Sequence, residues 1–305
     1  MLATNRDDQC QVKTKKVSLL EMPLEVANLV LEKLELIDLL RARKVCTALR
    51  TAVDKLGPRF DAICLTLRKE TLKLQFDENM ISYTVNNSTA VSYQNRKILI
   101  KGENFMKIML KDLKIILKHV EKLEIVNQED IISNFIEALK TEVYIQVKHI
   151  SFWKFPLKTV ILLLPFFNAP EQIILWSPGL LDRFEDLINL EQWKIAKRMH
   201  IYDSVLISRH IVHLFHYEEF GIVITDFPSQ VAVQIRDDLM RRSTFQRCNI
   251  FCCESKSDPI GIAKIFQPDY TGGSYFEFEY SDDINSFVVN CEYYREGIKF
   301  SVRKC

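Results

Sequence analysis

Three histidines recur at a step of three residues: His210, His213 and His216. Imidazole is the commonest metal-binding side chain, and an α-helix brings two of them together at i and i+4. Steps of three drift round an α-helix, so this spacing favours a packed or solvated helix face over a shared ion. Cys248, Cys252 and Cys253 lie close together, but no second C-x2-C and no nearby His completes a tetrahedral zinc set. On a strand, Cys252 and Cys253 would point to opposite faces, so this group reads as packing. Thr271-Gly272-Gly273-Ser274 is too short to cradle a phosphate and precedes a strand pattern rather than a helix. Cys46 has no His at a spacing that suits a thiolate nucleophile. The chain contains no G-x-S-x-G, no P-loop and no H-E-x-x-H. No enzyme activity, metal or cofactor is expected, and the chemistry to look for is binding.

The composition narrows the partners. The 305 residues carry 41 basic and 40 acidic side chains, a formal charge of +1. Such balance gives no footprint for nucleic acid or an anionic membrane. Residues 1–16 are polar and lack the apolar segment of a secretory leader. The most apolar run, 160–167, is broken by Pro165 and is far shorter than the ~20 residues of a membrane span. A soluble cytoplasmic or nuclear protein is expected, with its eight cysteines as thiols.

Residues 17–56 form a short, apolar helical module. Pro23 suits a helix start, where its missing N–H costs nothing. Helix formers follow without Gly or Pro until Gly57-Pro58. Three helices in 40 residues bury little surface by themselves, so the module needs a cover: the rest of its own chain or another protein. Met22-Pro23, Leu29-Val30, Leu34, Asp38-Leu39-Leu40, Arg43, Val45-Cys46 and Leu49-Arg50 follow the F-box in order and spacing. The module resembles the F-box of a nematode family that carries a C-terminal FTH domain. That resemblance implies an adaptor of a Skp–cullin–F-box ubiquitin ligase, or alternatively a non-degradative interaction scaffold. It implies docking of a Skp-family protein, and through it a cullin, on Met22, Pro23, Val26, Val30, Leu34, Leu39, Leu40, Val45 and Leu49. Met22 replaces the usual Leu, and Leu49 stands where many F-boxes place Trp.

The body is a repeat. Six strand-like strings, 122–126, 149–153, 172–176, 198–202, 221–225 and 247–251, recur at steps of 23 to 27 residues, with helical patterns between them. The expected fold class is mixed α/β: a three-helix F-box, a small β meander, then a leucine-rich-repeat-like α/β solenoid with a C-terminal β hairpin. An ordinary βαβ domain is the rival. The expected divisions are a polar tail (1–16), the F-box (17–56), a β-rich connector (57–103), the repeats (104–270) and a β cap (271–305). Asn127-Gln128-Glu129-Asp130-Ile131, Leu164-Pro165-Phe166-Phe167 and Leu190-Glu191-Gln192-Trp193-Lys194 resemble segments of the FTH domain. The expected inward pairs are Leu123/Ile125, Ile150/Phe152, Ile173/Leu175, Met199/Ile201, Ile222/Ile224 and Cys248/Ile250. The next residue along each strand would then form an outward row: Val126, Trp153, Trp176, Tyr202, Thr225 and Phe251. A second row would hold Glu124, Ser151, Ile174, His200, Val223 and Asn249. Aromatics anchor interfaces, so the expected target-binding residues are Trp153, Trp176, His200, Tyr202 and Phe251. The rival is burial of these rings under loops at the strand ends.

Overall fold

The computed structural model describes residues 23–56, 61–86, 88–93, 95–117, 120–129, 131–140, 145–179, 181–252, 258–273, 275–281, 285–294 and 297–305. The chain divides into two compact units, 1–58 and 59–305. It is mixed α/β, with N-terminal helices followed by a large sheet.

The first unit holds α1 (Leu24–Leu31), α2 (Leu36–Val45) and α3 (Thr47–Leu56). Pro23 stands just before α1 and accepts from the Ala27 N–H at 3.0 Å, so the ring costs no helical bond. Leu31, Leu39, Leu49, Ala52 and Val53 form the core, and Leu34, Ala42, Cys46 and Leu56 pack around it. The Arg43 guanidinium grips Asp54 with two bonds, 2.6 and 3.2 Å, and so fastens α2 to α3.

The second unit opens with β1 (Ala62–Arg68), β2 (Thr71–Phe76), β3 (Asn79–Asn86), β4 (Ser88–Tyr93) and β5 (Arg96–Ile100), an antiparallel meander. Then come α4 (Phe105–Leu117), β6 (Lys122–Asn127), α5 (Ile132–Lys140), β7 (Ile145–Gln146), β8 (His149–Trp153), α6 (Leu157–Leu163), β9 (Phe167–Asn168) and β10 (Gln172–Trp176). Next are α7 (Phe184–Ile188), α8 (Glu191–Ile195), β11 (Arg198–Leu206), β12 (Glu219–Ile224), α9 (Ser229–Gln234), β13 (Arg247–Cys252) and α10 (Pro259–Phe266). The chain ends in β14 (Tyr275–Ser281), β15 (Ser286–Tyr294) and β16 (Gly297–Lys304).

Fourteen of these strands form one sheet in the order β14-β15-β16-β13-β12-β11-β10-β8-β6-β1-β2-β3-β4-β5, and β7 pairs with β9 separately. From β1 to β13 each parallel strand lies beside the one before it in this series. Antiparallel strands flank this parallel centre on both sides. Leu123, Ile150, Ile173, Met199, Phe220 and Cys248 are cross-strand partners in one fully buried row. Leu65, Ile125, Phe152, Leu175 and Ile201 make a second.

The structure departs from the sequence expectations at several points. β12 starts two residues before the expected string, so Phe220 and Ile222, not Ile222 and Ile224, lie opposite Cys248 and Ile250. Val223 therefore joins Phe251 in the outer row in place of Thr225, and Gly221 takes the expected place of Val223 beside Asn249. Of the helical patterns expected between the strings, the one between 198–202 and 221–225 is instead the end of β11 followed by a 3₁₀ segment, Ser208–Leu214. A register shift between His200 and Val205 lengthens β11 and delays the turn. Pro165 ends α6 in a 3₁₀ turn, Leu164–Phe166. β4, β7, β9 and α10 were not anticipated.

Candidate protein-interaction surfaces

The helical unit buries part of the expected docking set and exposes the rest. Leu39 and Leu49 are buried in its core, and Leu34 packs against that core. The short Leu49 serves here as an internal contact where a Trp would project further. Pro23 is exposed. Val26 at 42% exposure, Val30 at 39% and Val45 at 69% are large apolar side chains left open, and so is Leu29 at 60%, which the sequence reading did not select. Leu29 was detectable: it adjoins Val30 in the F-box pattern and adds to an apolar surface wider than one helix stripe. Met22 and the side chain of Leu40 lie outside the described residues.

On the second unit, alternate residues of β6, β8, β10 and β11 face away from the buried rows. Val126, Trp153, Trp176 and Tyr202 are cross-strand partners. Trp153 and Trp176 stack at 4.3 Å and 10°, and Trp176 and Tyr202 at 4.1 Å and 26°. Each ring is half-buried, so the row is neither free in solvent nor sealed under loops. Phe251 is also half-buried, two strands further on. His200 extends the ladder from the next row, 5.8 Å from Tyr202 and 5° from parallel, yet only 8% of it is exposed. It lies across Gly221, where a Cβ would come within 2.7 Å of its Nδ1. Among the described residues neither that nitrogen nor the buried Nε1 of Trp153 has a hydrogen-bond partner. Burial holds the His200 imidazole below its ordinary pKa; nearby Glu219 pulls the other way, while Arg198 and Arg247 add to the lowering.

The residue after each stacked ring takes the left-handed conformation: Lys154 at φ 59°, Ser177 at 51° and Asp203 at 57°. These turns are bonded in series. Lys154 N–H donates to the Trp176 carbonyl at 2.9 Å, Ser177 N–H to the Tyr202 carbonyl at 3.0 Å, and the Ser177 hydroxyl to Asp203 at 3.0 Å. A left-handed non-glycine residue costs ~1–2 kcal/mol, so three in register mark a repeated and tightly determined turn.

An F-box family model matches residues 19–61, and an FTH-domain family model matches residues 129–269. The chain carries an F-box followed by an FTH domain. It is similar to F-box A protein 224 of Caenorhabditis elegans, 26% identical over 286 residues, which span 84% of this chain and 71% of that protein. No solved structure matches the chain. An F-box implies a role in ubiquitin-ligase substrate recognition and in protein interaction, and the family names point to an adaptor.

Of the residues that carried the resemblance to the FTH domain, the large apolar ones supply core, while Gln128, Glu129, Glu191 and Lys194 are exposed. Leu164, Phe167 and Trp193 are fully buried. Trp193 meets Phe184 and Tyr217 edge-on at 5.4 and 5.3 Å. Of the cysteine group, Cys248 and Cys252 are buried, burial pushes the Cys248 thiol up to about 12, and Cys253 lies outside the described residues. Both described thiols of this group are packing residues of the core. Gly272 and Gly273 take positive φ, 143° and 138°, ahead of β14. No helix among the described residues is long and apolar enough to cross a membrane.

Proposed function

We propose that this chain is the substrate-recognition adaptor of a Skp–cullin–F-box ubiquitin ligase. The observation that carries the proposal is the open apolar set Val26, Leu29, Val30 and Val45 on a helical unit that already has its own core. Fully burying such a side chain contributes ~1.5–3 kcal/mol, so the set favours a partner, and a Skp-family protein is the partner an F-box implies. Met22, Pro23 and Leu40 complete the docking surface by resemblance, while Leu34, Leu39 and Leu49 shape it from beneath. The Skp-family protein in turn joins a cullin.

The FTH domain holds the protein target. Parallel strands in chain order, with left-handed turns at successive strand ends, support a leucine-rich-repeat-like solenoid with a C-terminal β cap. The half-open ladder Trp153, Trp176, Tyr202, with His200 and Phe251 beside it, is the target-facing surface. An adaptor of this kind needs no cofactor: it raises the concentration of the target beside the ligase. Proximity labelling by the full chain and by a form lacking 17–56 identifies the targets. The proposal expects shared targets whose half-lives lengthen when the protein is depleted. Unchanged half-lives for every shared target would leave a scaffold instead.

A further inference from the structure

We propose that Glu185, His210 and His213 form a binding site for one divalent transition-metal ion of the zinc type. The ligand atoms of these three residues all lie within 4.8 Å of one another. The reason lies in the backbone. Ser208–Leu214 is a 3₁₀ segment, with three residues per turn, so residues at i and i+3 eclipse rather than drift. The step of three that would scatter imidazoles round an α-helix here places His210 and His213 on one face, with ring centres 5.9 Å apart. His216 lies outside the segment and is committed elsewhere: its nitrogens face the carbonyls of His213 and Trp193 at 3.0 and 3.1 Å.

Glu185 comes from a different connector, α7, and its carboxylate stands 3.3 Å from the His210 Nδ1. Phe184 packs its ring against both imidazoles at 5.4 and 6.5 Å and fixes where they stand. Two imidazoles and a carboxylate are the donor set of an open transition-metal site, in which a fourth position takes water or a ligand. Imidazole nitrogens discriminate against calcium and magnesium, which prefer oxygen. His213 also borders a cleft of about 430 Å³ shared with Trp193, Val212 and Arg242, which Glu185 and His210 do not line.

Binding balances simply. The proton on Nδ1 of His210 leaves for solvent, Nε2 takes one up from solvent in its place, and the metal takes the freed Nδ1 lone pair, so the ring stays neutral with no net change in protons. Nε2 then carries the N–H and no longer accepts the long 3.4 Å bond from Arg209, whose exposed side chain turns to water. The ion would link α7 to the 3₁₀ segment, joining two neighbouring connectors of the FTH domain. This inference does not depend on the adaptor reading.

Equilibrium dialysis of the full chain against zinc chloride, with elemental analysis, tests it. Cobalt absorption serves as the second measurement, because it separates nitrogen and oxygen donors from the chain's thiols. One ion per chain is expected, with a thiolate-free cobalt spectrum and a melting temperature that rises with zinc. His213→Gln and Glu185→Gln should each weaken binding at least about tenfold, since even outer-shell losses cost that much. Zinc should raise the melting temperature of each variant less than that of the wild type. Equal zinc uptake by both variants, a thiolate cobalt spectrum, or no uptake at tens of micromolar metal would overturn the site.

Discussion

At Gly221 a single missing methyl group decides how the ladder closes. The His200 ring occupies the space a Cβ would need, so Gly221→Ala should destabilise the FTH domain by ~1–3 kcal/mol, the usual cost of overpacking. Urea denaturation measures the change, and combining it with His200→Ser should recover most of the loss; additive losses would mean the two positions do not touch. The same ring makes stability depend on pH. Its folded pKa lies below its ordinary value of 6.5, so the unfolded chain takes up the proton first. Stability is therefore complete above pH ~6.5 and falls as the pH drops toward the folded value. Melting curves between pH 7.5 and 5.5 should show that fall, and His200→Phe should lessen it, leaving the part due to His210 and His216, whose pKa values burial also lowers. An unchanged slope would assign the effect to other groups. Sequence showed the aromatic row because the strands alternate strictly, but it could not show that His200 is buried. That depends on the glycine opposite, and Gly221 was assigned outside its true layer.

At the scale of elements, the legible and illegible parts separate by what sets them. Five expected strings fall wholly on strands and the sixth, 221–225, runs one residue past β12, because alternation is a local pattern. The register of β12 was missed because Phe220, Ile222 and Ile224 alternate alike and are all buried, so local pattern could not say which pair lies opposite Cys248 and Ile250. The histidine spacing was read against the wrong helix: three residues per turn rather than 3.6 turns a packed face into a cluster. In the F-box, sequence supplied the docking list but could not divide it, since core and surface positions are alike in hydropathy. The structure sets Leu31 at the centre of the helical core. Leu31→Ala should cost ~2–5 kcal/mol and lower F-box helicity by circular dichroism. Val45→Ala, at an exposed site, should change stability by less than ~0.5 kcal/mol. Equal losses would show that the two positions are not core and surface.

For the whole molecule, the order of helices first and a large sheet after was legible from two local periods and a 23–27-residue repeat. The extent of the sheet was not. Meander, parallel centre and terminal strands run on as one fourteen-strand sheet because edges that face each other pair, whatever the boundaries of the repeats. The account assigns two tasks to two units: the helices recruit the ligase and the sheet holds the target. The most direct test is titration of the full chain with a purified Skp-family protein, comparing wild type with Val26→Asp/Val30→Asp. Placing charge on the open face should weaken binding more than tenfold while helicity and melting temperature stay unchanged. Undiminished binding by the folded double variant would contradict the account.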